Sequence, residues 1–159
     1  MDVNKLEYDE EKQVFVEKLG IYYEDYGIPR IGGRILGLLL VSNQPISAEQ
    51  MSNLLKVSRG SVSTNVRLLV SMGLLEKVSA VGDRIDYYSV SESIWDNAIK
   101  TRIDGFKNLK KIVELGLKAL EEHSDANKKF SEMLLWVDSM ISSHEKVLLE
   151  WRKEIKDKN

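Results

Sequence analysis

Hydrophobic and polar positions change their period several times along this chain, and each change marks an element. Phe15, Leu19, Tyr22 and Tyr26 recur at 4-3-4 spacing, which predicts an amphipathic helix ending near Gly27-Ile28-Pro29. A second helix is expected from Arg30 to Ser42, with Ile31, Ile35, Leu38 and Leu39 inward. Gly32, Gly33 and Gly37 each cost it about 1 kcal/mol of propensity relative to alanine. They imply that another backbone packs closely there. Two short helices come next. Ser47 is an N-cap with Gln50 three residues on, as a capping box requires, and Ala48, Met51, Leu54 and Leu55 give one apolar face. Lys56-Val57 leaves room only for a turn. Ser58 caps the following helix, Val62, Val66, Leu69 and Val70 point inward, and Gly73 stands where a helix stops. Leu74 to Ala80 and Ile85 to Val90 are of strand type, and Val81-Gly82-Asp83-Arg84 joins them as a tight hairpin loop.

Helical periodicity then returns. Ile94 to about Glu122 carries Ile99, Ile103, Phe106, Val113, Leu117 and Leu120 on one stripe. Asp125 is placed to cap a last helix. There Phe130, Leu134, Val137, Ile141, His144, Leu148, Trp151 and Ile155 keep 4-3 alternation, and Met133, Met140 and Val147 widen the seam. Such a stripe is longer than a small domain needs. Leu134, Ile141, Leu148 and Trp151 are therefore expected at a dimer interface; the alternative is that the two long helices pack on each other. The expected fold is mainly α with a small β-wing: a winged helix-turn-helix flanked by long N- and C-terminal dimerisation helices. Its segments are residues 1–29 (dimerisation helix), 30–92 (DNA-binding domain) and 93–159 (C-terminal dimerisation helices).

The outer face of the helix after Ser58 changes the picture from fold to chemistry. Arg59, Ser61, Ser63, Thr64 and Arg67 lie on it, and no carboxylate occurs between Ser58 and Arg67. An ordinary solvated face carries Glu and Lys in pairs. Small hydroxyls let a helix approach base edges, and arginine pairs with guanine or phosphate. Arg84, at the hairpin tip, is placed to enter a narrow minor groove. The net charge of −2 argues against a nucleic-acid partner until its distribution is read. Met1 to Pro29 has 3 basic and 8 acidic residues, Arg30 to Val90 has 7 and 4, and Ser91 to Asn159 has 13 of each. The positive excess lies in the segment expected to read DNA, and local charge governs such binding.

Other functions find little support. Cysteine is absent, so there is no disulfide framework or thiolate metal site. The only histidines, His123 and His144, sit in no metal or triad motif, and His144 lies in the apolar seam. No enzyme activity, metal or cofactor is expected. No apolar run reaches membrane-spanning length and no leader is recognisable, so a cytoplasmic protein with no membrane partner is expected. Tyr22, Tyr23, Tyr26, Trp95, Trp136 and Trp151 could cage a quaternary ammonium ligand, although aromatics at such spacing more often serve core and interface.

The chain resembles the winged-helix regulators of the MarR superfamily, in particular the GbsR-like branch. The resemblance rests on Gly-Ile-Pro-Arg-Ile-Gly-Gly-Arg from Gly27, on Ser-Arg-Gly-Ser-Val-Ser-Thr-Asn-Val-Arg-Leu-Leu from Ser58, and on Gly-Asp-Arg-Ile-Asp-Tyr-Tyr from Gly82. It covers roughly Tyr23 to Phe106. It implies a homodimeric transcriptional regulator, often a repressor, that binds double-stranded DNA. It carries DNA contact to Ser58, Arg59, Ser61, Ser63, Thr64 and Arg67, and wing contact to Arg84. Some members of that branch sense choline, but no residue pattern here establishes the same ligand. An effector, where there is one, is expected between the helical dimer region and the winged domains, near Tyr22, Tyr23 and Tyr26. The rival reading is a winged-helix protein-interaction module, which would lack the basic, small-residue helix face.

Overall fold

In a computed structural model, residues 8–79, 84–122 and 124–158 are described. They form two compact units, Met1–Ile94 and Trp95–Asn159. Among the described residues, six helices and one three-stranded antiparallel sheet account for the regular structure.

In the first unit, α1 (Glu10–Asp25) packs on α2 (Arg30–Leu40). Asp9 caps α1, its Oδ1 accepting the Lys12 backbone N–H at 2.9 Å. That bond holds the Asp9 carboxyl below the ordinary aspartate range. Gly27 ends the turn at φ +86°, a conformation glycine adopts without a Cβ penalty. The buried face of α1 is not the expected one. Val16 and Gly20 are buried, whereas Phe15, Tyr22 and Tyr26 are 41%, 50% and 61% exposed. The reason lies in α2, which meets α1 through glycines. A Cβ built on Gly33 would sit 2.9 Å from the Gly20 Cα, and one on Gly37 would sit 3.2 Å from the Val16 Cα. Backbones this close leave no room for aromatic rings, so the stripe of small residues turns inward instead.

Helix α2 is the hub of this unit and also touches α3, α4 and the sheet. Ile35, Leu36, Leu38 and Leu39 are buried; Ile31 is only half-buried. The expected capping box opens α3 (Ala48–Leu55), with the Gln50 N–H donating to Ser47 Oγ at 3.2 Å and the Ser47 N–H donating to Gln50 Oε1 at 2.8 Å. Lys56 turns the chain at φ 54°. Helix α4 (Arg59–Ser71) starts at the Ser58 cap. It ends in a Schellman pair, the Leu74 N–H to Leu69 O and the Gly73 N–H to Val70 O, each 2.9 Å. Val62, Val66 and Leu69 are buried as expected, but Val70 is exposed and the polar Asn65 is buried in its place.

The sheet has the order β1 (Ile46–Ser47), β3 (Asp86–Val90), β2 (Leu75–Ser79). In register, Ile46 faces Tyr88 and Lys77 faces Tyr88 from the other side. Strand β1 was not anticipated, since two residues cannot show a period. The tight loop expected at Val81-Gly82-Asp83 lies outside the described residues.

The second unit holds the rest of α5 (Ile94–Lys118) and α6 (Asp125–Lys158). They run antiparallel, tied by Lys107–Glu145, Lys110–Asp138 and Arg152–Asp96, each 2.7 Å. The Phe106 ring lies against Trp136 and His144. Helix α5 stops earlier than expected, and the residue capping α6 is Ser124, not Asp125. Ser124 Oγ accepts the Asn127 N–H at 3.1 Å, while Asp125 is already helical. Of the seam, Val137 and Leu148 are buried, and Phe130, Leu134, Ile141, His144 and Trp151 are half-buried. The seam is therefore used first within one chain. His144 Nδ1 bonds the Met140 carbonyl at 2.7 Å. Among the described residues no helix is long and apolar enough to cross a membrane.

Candidate nucleic-acid interface

Cap geometry sets the aim of α4. Ser58 Oγ accepts the Ser61 backbone N–H at 3.2 Å and donates to Ser61 Oγ at 2.9 Å. Both hydroxyls thus serve the helix start, and Ser61 is half-buried. From that start, Arg59, Ser63 and Arg67 follow at intervals of four on one exposed face, with Thr64 beside them. Seen from the sheet, this face divides at Tyr88. On one side Arg59 and Ser63 line a groove of 420 Å³ with Ser47, Ala48, Glu49, Ile85, Asp86 and Tyr88. On the other, Arg67 lines a groove of 310 Å³ with Val66, Val70, Ser71, Lys77 and Tyr88. Arg84 is exposed but lines neither groove.

Several participants escaped the sequence pattern. Glu49 of α3 pairs with Arg59 at 2.5 Å. Lys77 of β2 pairs with Asp86 of β3 at 2.8 Å, diagonally across the wing. The hydrogen bond to Asp86 holds the Lys77 ammonium above the usual lysine range. Tyr88 stands between the two grooves. None of these residues belongs to a helical stripe, so periodicity could not find them.

The fixed position of α4 depends on contacts behind it. Asn65 Nδ2 donates to the Ser61 carbonyl at 2.9 Å, and its Oδ1 points to Gly32, where a Cβ would come within 2.9 Å. Arg34 of α2 spans further. Its Nε donates to Glu17 of α1 at 2.6 Å and its Nη2 to the Leu55 carbonyl at the end of α3, at 3.0 Å. One side chain thus ties the first helix to the turn of the helix-turn-helix.

This geometry has known relatives. A family model described as MarR family matches residues 26–84, from the end of α1 through the wing. The chain is 30% identical over 133 residues to the HTH-type transcriptional regulator MmpR5 of Mycobacterium tuberculosis, covering 80% of this chain and 81% of that one. The chain belongs to the MarR family. A second relative, the HTH-type transcriptional repressor OpcR of Bacillus subtilis, is 27% identical over 84 residues, 53% of this chain and 45% of that one. Among solved structures, a crystal structure of a transcriptional regulator superposes with a TM-score of 0.81 at 28% identity, covering 90% of this chain and 99% of that chain. The likeness to that regulator and to MmpR5 therefore covers residues of both units, whereas the family model covers the winged segment.

Proposed function

We propose that this MarR-family protein is a sequence-specific transcriptional regulator that binds double-stranded DNA as a homodimer and acts as a repressor of the GbsR-like branch. One observation carries the reading: α4 presents Arg59, Ser63, Thr64 and Arg67 on an exposed face that has no acidic residue of its own, with Arg84 exposed at the neighbouring wing. A protein-interaction wing has no use for such a face. Ser58 and Ser61 take part mainly by fixing the helix start, whose free N–H groups favour phosphate.

Dimerisation through residues 93–159, with α1 of residues 1–29 assisting, is supported by apolar side chains left uncovered in the single chain. Leu135 and Leu149 of α6 and Ile112 and Leu115 of α5 are exposed, and Leu134, Ile141 and Trp151 are half-covered. Leu148 is already buried, so its part in a dimer is indirect. Small-molecule control rests on Tyr22, Tyr23 and Tyr26, whose rings cluster at 5.3 and 4.7 Å from Tyr22 on exposed α1. Thermal-shift screening with choline and betaine tests that part; no shift with either removes a quaternary ammonium effector.

Selection from a random duplex pool, followed by footprinting, tests the main reading. The expected site is an inverted repeat with half-sites about 10 bp apart, centre to centre, or a multiple of it. No enrichment, or binding indifferent to salt, would sink it.

A further inference from the structure

Arg59 is the first residue of α4, and the first turn of α4 contains no acidic side chain. A helix start already carries positive charge, so a cation there is unfavourable unless an anion answers it. The answering carboxylate comes from a different helix. Glu49 lies in the first turn of α3, beyond the Ser47 cap, and reaches across to Arg59. Its own helix start favours a carboxylate at that point, so Glu49 is held in place. Both partners are exposed, at 66% and 61%, and both line the groove that also holds Ser63 and Tyr88.

We propose that Glu49 is a specificity-determining residue, which acts by occupying Arg59 as an intramolecular substitute for phosphate. The proposal rests on the DNA-binding reading above. Its chemistry follows from the shape of a guanidinium, which has five N–H donors on more than one edge. Glu49 holds one of those nitrogens, Nη2. The remaining donors can reach guanine O6 and N7 while the carboxylate steadies the group from behind. A phosphate is a different case. It competes with Glu49 for the same charge and is repelled by it. An exposed ion pair is weak enough to be exchanged, yet strong enough to bias the choice. Duplex that offers Arg59 only backbone is thereby penalised relative to duplex that offers a base edge.

The test compares wild type, Glu49→Gln, Arg59→Ala and the double variant on two short duplexes. One duplex is recovered by selection from a random pool; the other is its scrambled counterpart. Glu49→Gln is nearly isosteric at an exposed site, and an unchanged melting curve confirms the fold. On scrambled duplex, Glu49→Gln is expected to bind several-fold tighter, with a salt slope steeper by about one unit per protomer. On selected duplex its affinity stays level or falls, so discrimination narrows. In the Arg59→Ala background the same substitution should do almost nothing. Equal tightening on both duplexes overturns the proposal. So does equal tightening with and without Arg59, which would mean that Glu49 merely repels DNA through space. Wild type that binds neither duplex would remove the DNA-binding reading, and the proposal with it.

Discussion

Gly33→Ala puts the helix contact behind the reading head to a direct test. A Cβ at this site would meet the Gly20 Cα at 2.9 Å, the Leu19 carbonyl at 3.0 Å and the Tyr23 Cβ at 3.0 Å. Ordinary contact begins near 3.4 Å, so α1 and α2 must separate by roughly 0.5 Å. Two of the three neighbours are backbone and cannot rotate away. Alanine gains about 1 kcal/mol of helix propensity, and overpacking costs about 1–3 kcal/mol. The separation also pulls on Arg34, the next residue, and so on its bonds to Glu17 and to the Leu55 carbonyl. Loss of a hydrogen bond from a charged donor adds about 1.5 kcal/mol, at the low end because Glu17 is partly exposed. The expected net is a loss of about 1.5–3.5 kcal/mol, or a Tm lowered by several degrees. Gly60→Ala is the matched control. It lies in α4, its Cβ would meet nothing within 4 Å, and it should gain up to about 1 kcal/mol. Urea titrations of the two variants decide the matter. A Gly33→Ala protein as stable as wild type would mean that the α1–α2 contact yields freely, and the account of why the aromatic stripe faces outward would fail.

Arg67→Ala and Arg84→Ala should each weaken binding to a selected duplex by about 1–3 kcal/mol while leaving the melting curve in place; wild-type binding by both at matched salt would refute the assignment. Deleting Lys128 to Asn159 should give a monomer by light scattering, prone to aggregate because the inner face of α5 loses its cover along with the dimer partner. If the truncated chain stays a tight dimer, the interface belongs to α1, where Phe15 and Tyr22 are exposed. The start of α1 should loosen in acid. The Asp9 carboxyl is held below its ordinary 3.8 by the Lys12 N–H, so its stabilisation is present above that value and is lost as pH falls through the lower folded one. The Lys12 amide, followed by NMR, should report that release; an amide that is still protected in strong acid would contradict it.

The fold was legible wherever a local rule sufficed. The Ser47–Gln50 box, the Ser58 cap and the Gly73 stop are each decided by residues within one turn, and each appears as expected. The glycines of α2 were legible as a sign of close approach, but not as the cause of what α1 does in response. Phe15, Tyr22 and Tyr26 have helical spacing and good apolar character. They lose the inward face to Val16 and Gly20 because the facing surface is bare backbone. That outcome depends on a partner helix, which a period in one segment cannot contain. Val70 differs for the same reason: the buried stripe of α4 runs through Val62, Asn65, Val66 and Leu69, and its edge goes to Asn65, which bonds its own helix through Ser61 and fits beside Gly32. The seam of α6 is apolar as its period predicts, yet period alone could not say that Val137 and Leu148 are already covered within a single chain.

The same limit governs the charge of the reading surface. The sequence places seven basic residues between Arg30 and Val90, and a count treats them as equal. Pairing makes them unequal. Arg30 and Arg34 share Glu17, Arg59 is held by Glu49, and Lys77 is held by Asp86. Among the described residues no ion pair involves Lys56, Arg67 or Arg84. Those three would neutralise phosphate without giving up a partner among the described residues, and they stand at the helix turn, the middle of α4 and the wing. Affinity for any duplex should therefore follow them, and its salt slope should count them. Arg59 and Lys77 must exchange a carboxylate to meet a phosphate, whereas a base edge can use the donors the carboxylate leaves open, so their contribution depends on what the duplex offers. On this reading the net excess of three positive charges would guide the approach, and the paired cations would respond to the site.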